Sequence, residues 1–389
     1  MRKILILIPL LFFLTGCNNY RELNDLAIIS GINIKKEDDN FIINAEIINP
    51  KKEQDTSSGK EPDCIIYEGK GKSVQEAFRS IVKTSPQKLY GAHMNILIIE
   101  EDTAKNGISE ILDFLTRDPE IRSEFYVLIS KNTDNLKIIE PLINISSKNI
   151  MESLKSTTSY LGTANLITNH ELLNDYLNPR KEIVLPSIIL EGNETIGETT
   201  DNVESSLPSA NNMISNLTVF KDNKLIGTLT EKESLAYNII TNKSETYLIN
   251  NSYGKDKYII TEVISSKTKL EPDIKKKKIT INITGTSSIS EVNKNINIEG
   301  SKNITKIQNK QNKNIEKLIT NSIKNTITKY NSDIYGFEDL FYKSNPKETE
   351  KLIKKDKENF LKEIKIEVKS NIKIVEKGNL NGGINEKRK

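Results

Sequence analysis

Between residues 364 and 374 every apolar side chain falls on an even position: Ile364, Ile366, Val368, Ile372 and Ile374, with Ser370 in the remaining place. Side chains alternate across a strand with a period of two, so this run predicts one long, half-buried β-strand. Upstream, Ile304, Ile307, Ile315, Leu318, Ile319, Ile323 and Ile327 recur at helical spacing and predict a long helix from about Asn303 to Tyr330. A chain that carries both periods at such length must pack helix against sheet. The expected class is therefore α+β, with mixed and antiparallel sheets, packed helices and two to three lobes.

The same two periods extend along the chain. "AIISGINI" and "FIINAEII" read as strands separated by the charged turn "KKEDDN". Ser73 followed by Glu76 reads as a capping box opening a helix that Pro86 ends. "NILIIE" and "FYVLIS" read as strands around the helix "GISEILDFLTRD", residues 149–178 as mostly helical, and "EIVLPSIIL" as a further strand. Residues 192–211 are rich in Gly, Ser, Thr and Asn and read as a linker. "MISNLTVFKDNKLIGTL" then predicts a hairpin turning at Asp222–Asn223, and Thr230 with Glu233 a second capping box. "KYIITEVI", "KKITINITG" and "NINIEG" follow as strands of antiparallel appearance. The expected organisation is a leader at 1–16, an N-terminal domain at 17–191 that would divide near 140, a linker at 192–211, a C-terminal domain at 212–376 and a disordered tail at 377–389.

The leader places the chain. Arg2 and Lys3 precede an apolar run from Ile4 to Leu14, 11 residues interrupted only by Pro9. A bilayer span needs roughly 20 residues, so this run suits a secretory signal. It ends in Leu14-Thr15-Gly16-Cys17, an aliphatic residue and two small residues before a cysteine, which has the form of a bacterial lipobox. Cleavage is expected between Gly16 and Cys17, with diacylglycerol on the Cys17 thiol and palmitate among its acyl chains. Two chains suffice for stable anchoring. The molecule is then a lipoprotein tethered to the outer face of a membrane. With Cys17 acylated, Cys64 has no partner for a disulfide; it lies in a short apolar run and reads as a buried, inert thiol.

Composition excludes several functions. Lys plus Arg number 56 and Asp plus Glu 53, and the leader removes two of the bases, so no overall charge favours nucleic acid. His93 and His170 are far apart in sequence and neither belongs to an HExxH pair, so no metal site, cofactor site or catalytic set is expected, and the chain reads as a non-enzyme. Lys302, Lys306, Lys310, Lys313, Lys317 and Lys324 form a basic stripe on the long helix. It reads as a solvated face, or more sharply as a contact for anionic lipid headgroups.

"GCNNYRELNDLAIISGINI" resembles the mature start of the Ger(x)C family, the C-subunit lipoproteins of spore germinant receptors. Arg21-Glu22-Leu23-Asn24 and Ser30-Gly31 match its pattern, while Asn18-Asn19 stand where the family has Trp-Asp. "GAHMNILIIE" and "GISEILDFLTRDPEIRSEFYVLIS", with Arg117 and Arg122, are similar to its first-domain core. "LTVFKDNKLIGTLTEKES" and "DIYGFEDLFYKSNPKE" resemble the opening and the late Gly-aromatic motif of its second domain. The resemblance implies an α+β fold, a place at the inner membrane of the spore, assembly with the receptor's A and B subunits, and a required but non-catalytic part in nutrient-triggered germination. The competing class is a solute-binding lipoprotein of an importer, which shares the lipobox but needs two doubly wound lobes.

Overall fold

The computed structural model describes residues 26–49, 62–131, 133–140, 143–293 and 296–376. The leader, Cys17 and the expected tail lie outside them. The chain opens with β1 (Leu26–Glu37) and β2 (Asn40–Ile48), joined by Asp38 and Asp39, both left-handed with φ of 47° and 61°. Aspartate tolerates that conformation and so closes the tight turn. There follow β3 (Cys64–Gly71), α1 (Val74–Ser80), β4 (Lys88–Tyr90), β5 (Ile96–Glu100), α2 (Glu101–Asn106), α3 (Ser109–Arg117), β6 (Tyr126–Ser130), α4 (Ser146–Leu161), α5 (Asn169–Leu177) and β7 (Val184–Gly192).

These strands build a mixed sheet ordered β3-β2-β1-β5-β6-β7, with β4 beside the start of β1. β1, β4, β5, β6 and β7 run parallel, β2 lies antiparallel to β1, and β3, antiparallel to β2, returns to the common direction. Both faces are covered, as a parallel centre demands. Ile34, Leu97, Ile99 and Val127 meet α1 and α3 on one face, where the rings of Phe78 and Phe114 lie 5.4 Å apart. Ile96, Ile98 and Leu128 meet Ile150 and Leu154 of α4 on the other.

The sheet continues past residues 192–211. β8 (Ala210–Lys221) pairs antiparallel with β7, and β9 (Lys224–Thr228) with β8, through the expected turn at Asp222–Asn223. The hairpin read from sequence as the start of the second domain thus adds two strands to the first sheet. The intervening segment carries two helical turns, Glu194–Gly197 and Asp201–Glu204. One side chain organises it: Asn202, fully buried, donates to the carbonyls of Ile139 and Ala210 at 2.8 and 2.9 Å and accepts from the Ala210 amide at 2.9 Å.

A second sheet follows α6 (Glu231–Thr241). Its order is β10 (Tyr247–Ser252), β11 (Tyr258–Asp273), β12 (Lys278–Val292) and β13 (Lys365–Glu376). The first three are antiparallel, but β13 lies parallel to β12. Between them run α7 (Gly300–Tyr330), α8 (Phe337–Ser344) and α9 (Pro346–Lys355), and a crossover of that length can return the chain to the end where β12 began. Ile296–Glu299 of the expected strand "NINIEG" pair with no strand. Ile298 instead packs with Ile259, Ile289 and Ile307, and that packing accounts for its apolar spacing.

The long helix α7 covers one face of this sheet with Ile315, Ile319, Ile323 and Ile327. It also closes the sheet's outer edge. The amides of Ser370, Ile372 and Ile374 donate to Glu316 Oε1, Asn312 Oδ1 and Gln308 Oε1 at 3.0, 2.8 and 3.1 Å, and Asn312 Nδ2 donates back to the Ile372 carbonyl at 3.1 Å. Four residues of helix rise about 6 Å and two residues of strand about 6.6 Å, so the two ladders stay in step. No described helix is long and apolar enough to cross a membrane.

Candidate functional site

The expected site residues are not brought together. Cys17 lies outside the described residues. His93 is exposed and tilted against Tyr90, with ring centroids 6.2 Å apart. His170 is exposed on α5, its Nε2 3.2 Å from Asn174 Nδ2. Arg117 and Arg122 are exposed, and Arg117 pairs with Asp113 at 2.9 Å. Among the described residues, no three His, Cys, Asp or Glu side chains are placed to hold a metal.

Two buried carboxylates do organise the molecule. The first is Glu46 on β2, fully buried. Its Oε1 accepts the Ser146 amide at 2.7 Å, and its Oε2 accepts the Ser147 amide at 3.1 Å and the Ser30 hydroxyl at 2.7 Å. The N-cap of α4, Ile145, has no side chain able to accept these amides. Glu46 supplies from a neighbouring strand both the acceptor and the negative charge that a helix N-terminus favours. The Ser30-Gly31 pair completes the seat. β1 and β2 shift register between Ile29 and Gly31, and a Cβ on Gly31 would lie 2.7 Å from Ser147 Cβ. Glycine here lets α4 come down onto the carboxylate.

Cys64 sits beside this seat, its Sγ 3.5 Å from Glu46 Oε1. Burial first, and then the Glu46 charge, push its thiol well above the ordinary range, so it stays protonated and a poor nucleophile. Cys64 borders an open cleft of about 730 Å³ between Asn44, Leu136, Lys137 and Glu198.

The second carboxylate is Asp333, in the Gly-aromatic stretch after α7. It accepts the amides of Phe337 and Glu338 at 2.9 and 2.6 Å and so caps α8, whose preceding residue Gly336 is left-handed with φ 69°. The segment around it joins the two sheets. Tyr330 Oη donates to the Thr228 carbonyl at 2.7 Å, Ser332 Oγ to the Phe220 carbonyl at 2.8 Å, and the Glu182 amide to the Asp333 carbonyl at 3.0 Å. A Cβ on Gly227 would lie 2.4 Å from the Tyr330 ring, so glycine is needed there for the close approach. The Arg180 guanidinium stacks 3.5 Å from the Tyr342 ring centroid, and Tyr335 stacks on Phe337 at 5.2 Å.

Burial pushes Asp333 up to about 7 from its ordinary 3.8, outweighing the amides that favour its charge. The folded protein thus holds this proton more tightly than the unfolded chain. Its contribution to stability is full below the unfolded value near 3.8 and falls as pH rises towards about 7. Asp333→Asn keeps an acceptor and removes the proton. Melting followed from pH 4 to pH 8 should show a steeper decline in the wild type than in Asp333→Asn, and parallel curves would refute the assignment.

Sequence reasoning missed both carboxylates. The signal for Glu46 is a single acid inside the apolar run "FIINAEII". Asp333 opens the stretch "DIYGFEDLFYKSNPKE", whose sequence signal is its glycine and aromatic residues.

The comparisons with known proteins bear on the whole chain. Residues 19–190 match the family model described as the spore germination protein N-terminal domain, and residues 215–378 the one described as spore germination B3/GerAC like, C-terminal. Spore germination protein KC of Bacillus subtilis (strain 168) is 30% identical over 95% of this chain and 94% of its own length. The chain belongs to the GerAC family of spore germination proteins. Another relative in the family is spore germination protein GerQC of Bacillus cereus, 23% identical over 87% of this chain and 90% of its own. The crystal structure of the GerBC protein aligns with a TM-score of 0.54 at 15% identity, over 89% of this chain and 97% of that one, and shares its fold. In this GerAC chain the Ser30-Gly31 match seats α4, and the Gly-aromatic match joins the two sheets.

Proposed function

We propose that this chain is the lipid-anchored, non-catalytic C subunit of a spore germinant receptor. Diacylglycerol on Cys17 holds it to the outer face of the inner spore membrane, where it assembles with the A and B subunits. The observation that carries this reading is the 30% identity to spore germination protein KC across nearly the whole chain. The leader and lipobox support the anchor. A structural role is supported by what the buried acids do: Glu46 and Asp333 both hold helix N-termini. The subunit is read as two domains, 17–191 and 212–376, with the hairpin β8–β9 as their shared element.

Two measurements test the role together. A ligand that binds only the folded state adds about 2.7 kcal/mol at a hundredfold excess over its Kd. Purified protein melted with amino acids and sugars should show no such shift, whereas deleting the gene should abolish the spore's response through its own receptor. A saturable shift with one nutrient would transfer the binding role to this subunit. A normal response in the deletion strain, with no second copy present, would refute the role in germination.

A further inference from the structure

The basic stripe is left unexplained by the function above. Helix α7 carries seven lysines and one carboxylate, Glu316. That carboxylate turns to β13, accepting the Ser370 amide. Lys302, Lys306, Lys313, Lys317 and Lys324 are all exposed, and among the described residues none makes an ion pair. Lys310 and Lys329 lie over the rings of Tyr253 and Tyr330. Glu233, on the neighbouring helix α6, is held in the capping box of Thr230. From Lys302 to Lys324 the unpaired charges follow one face for roughly 33 Å. The opposite face is buried on the second sheet through Ile315, Ile319 and Ile323, so the helix has no apolar side left to insert. A long row of exposed, unpaired ammonium groups with no carboxylate among them on the helix fits a flat, anionic surface.

The proposed anchor at Cys17 would bring such a surface close to the chain. Nine residue steps separate Cys17 from Leu26, a reach of at most about 30 Å. We infer that the lysine face of α7 binds anionic lipid headgroups and holds the second sheet down on the membrane to which Cys17 is tethered. This rests on the lipid anchor of the proposed function.

The test uses the full lipidated chain on vesicles of phosphatidylcholine alone or mixed with phosphatidylglycerol. A fluorophore is placed at Thr320→Cys, on the exposed face of α7, in a Cys64→Ser background, and headgroup-labelled lipid serves as quencher. Quenching should appear on the anionic vesicles, be absent on neutral ones, and vanish near 1 M salt, where the screening length is about 3 Å. Replacing the five unpaired lysines by Gln should reduce the anionic preference at least about tenfold. Equal quenching on both vesicles, or quenching unchanged by the five substitutions, would overturn the inference. So would a five-Gln variant that keeps its lipid contact but loses a protein partner. Sedimentation with neutral vesicles reads the Cys17 anchor separately: if it fails, the anchor falls, while a salt-sensitive preference for anionic vesicles still upholds the helix.

Discussion

Cells making Cys17→Ala should incorporate no labelled palmitate into this chain, and the leader should remain attached. Transfer of diacylglycerol needs the thiolate as nucleophile, and alanine offers none. Each buried methylene of an acyl chain contributes about 0.8 kcal/mol, so the proposed two chains would give stable anchoring, and one substitution should remove all of it. The effect is all-or-none. Label remaining on the variant, or a mature N-terminus unchanged by sequencing, would refute the lipobox reading of Leu14 to Cys17.

Glu46→Ala should destabilise the folded chain by about 3–5 kcal/mol, measured by denaturant melting with circular dichroism. The substitution leaves the Ser146 and Ser147 amides and the Ser30 hydroxyl without an acceptor in a buried place. Each stranded group costs about 1–3 kcal/mol, and α4 also loses the charge at its N-terminus. Glu46→Gln keeps one acceptor oxygen and should lose less. Gly31→Ala should fall in the same range, because its methyl group would meet Ser147. A loss below about 1 kcal/mol for Glu46→Ala would mean that α4 does not depend on this seat.

The long periods were legible because they arise from one element meeting one core. The even-numbered apolar residues at 364–374 lie within or beside β13, and the isoleucines of α7 bury as their spacing implies. The capping box at Thr230 and Glu233 formed in full. At Ser73 only half of it did: Ser73 Oγ accepts the Glu76 amide, while Glu76 reaches past the cap to the Lys72 amide. Thr168 and Glu171 make a full box that was not singled out. What stayed hidden depends on distant partners. Periodicity does not encode strand direction, so the parallel return of β13 was not visible. Glu46 and Ser146 are 100 residues apart, and no local pattern joins a strand acid to a helix start. Residues 192–211 look like a linker by composition, but one asparagine, Asn202, ties them to two carbonyls.

The side chains that α7 lays along β13 bear on crowding. Proteins tethered to one leaflet diffuse in two dimensions, where copies meet at high local concentration and in similar orientation. An open strand edge under those conditions invites pairing between neighbours. Gln308, Asn312 and Glu316 occupy the outward amides of Ile374, Ile372 and Ser370. That half of the edge therefore has no donors left for a second copy, and self-association there is closed off from within the monomer.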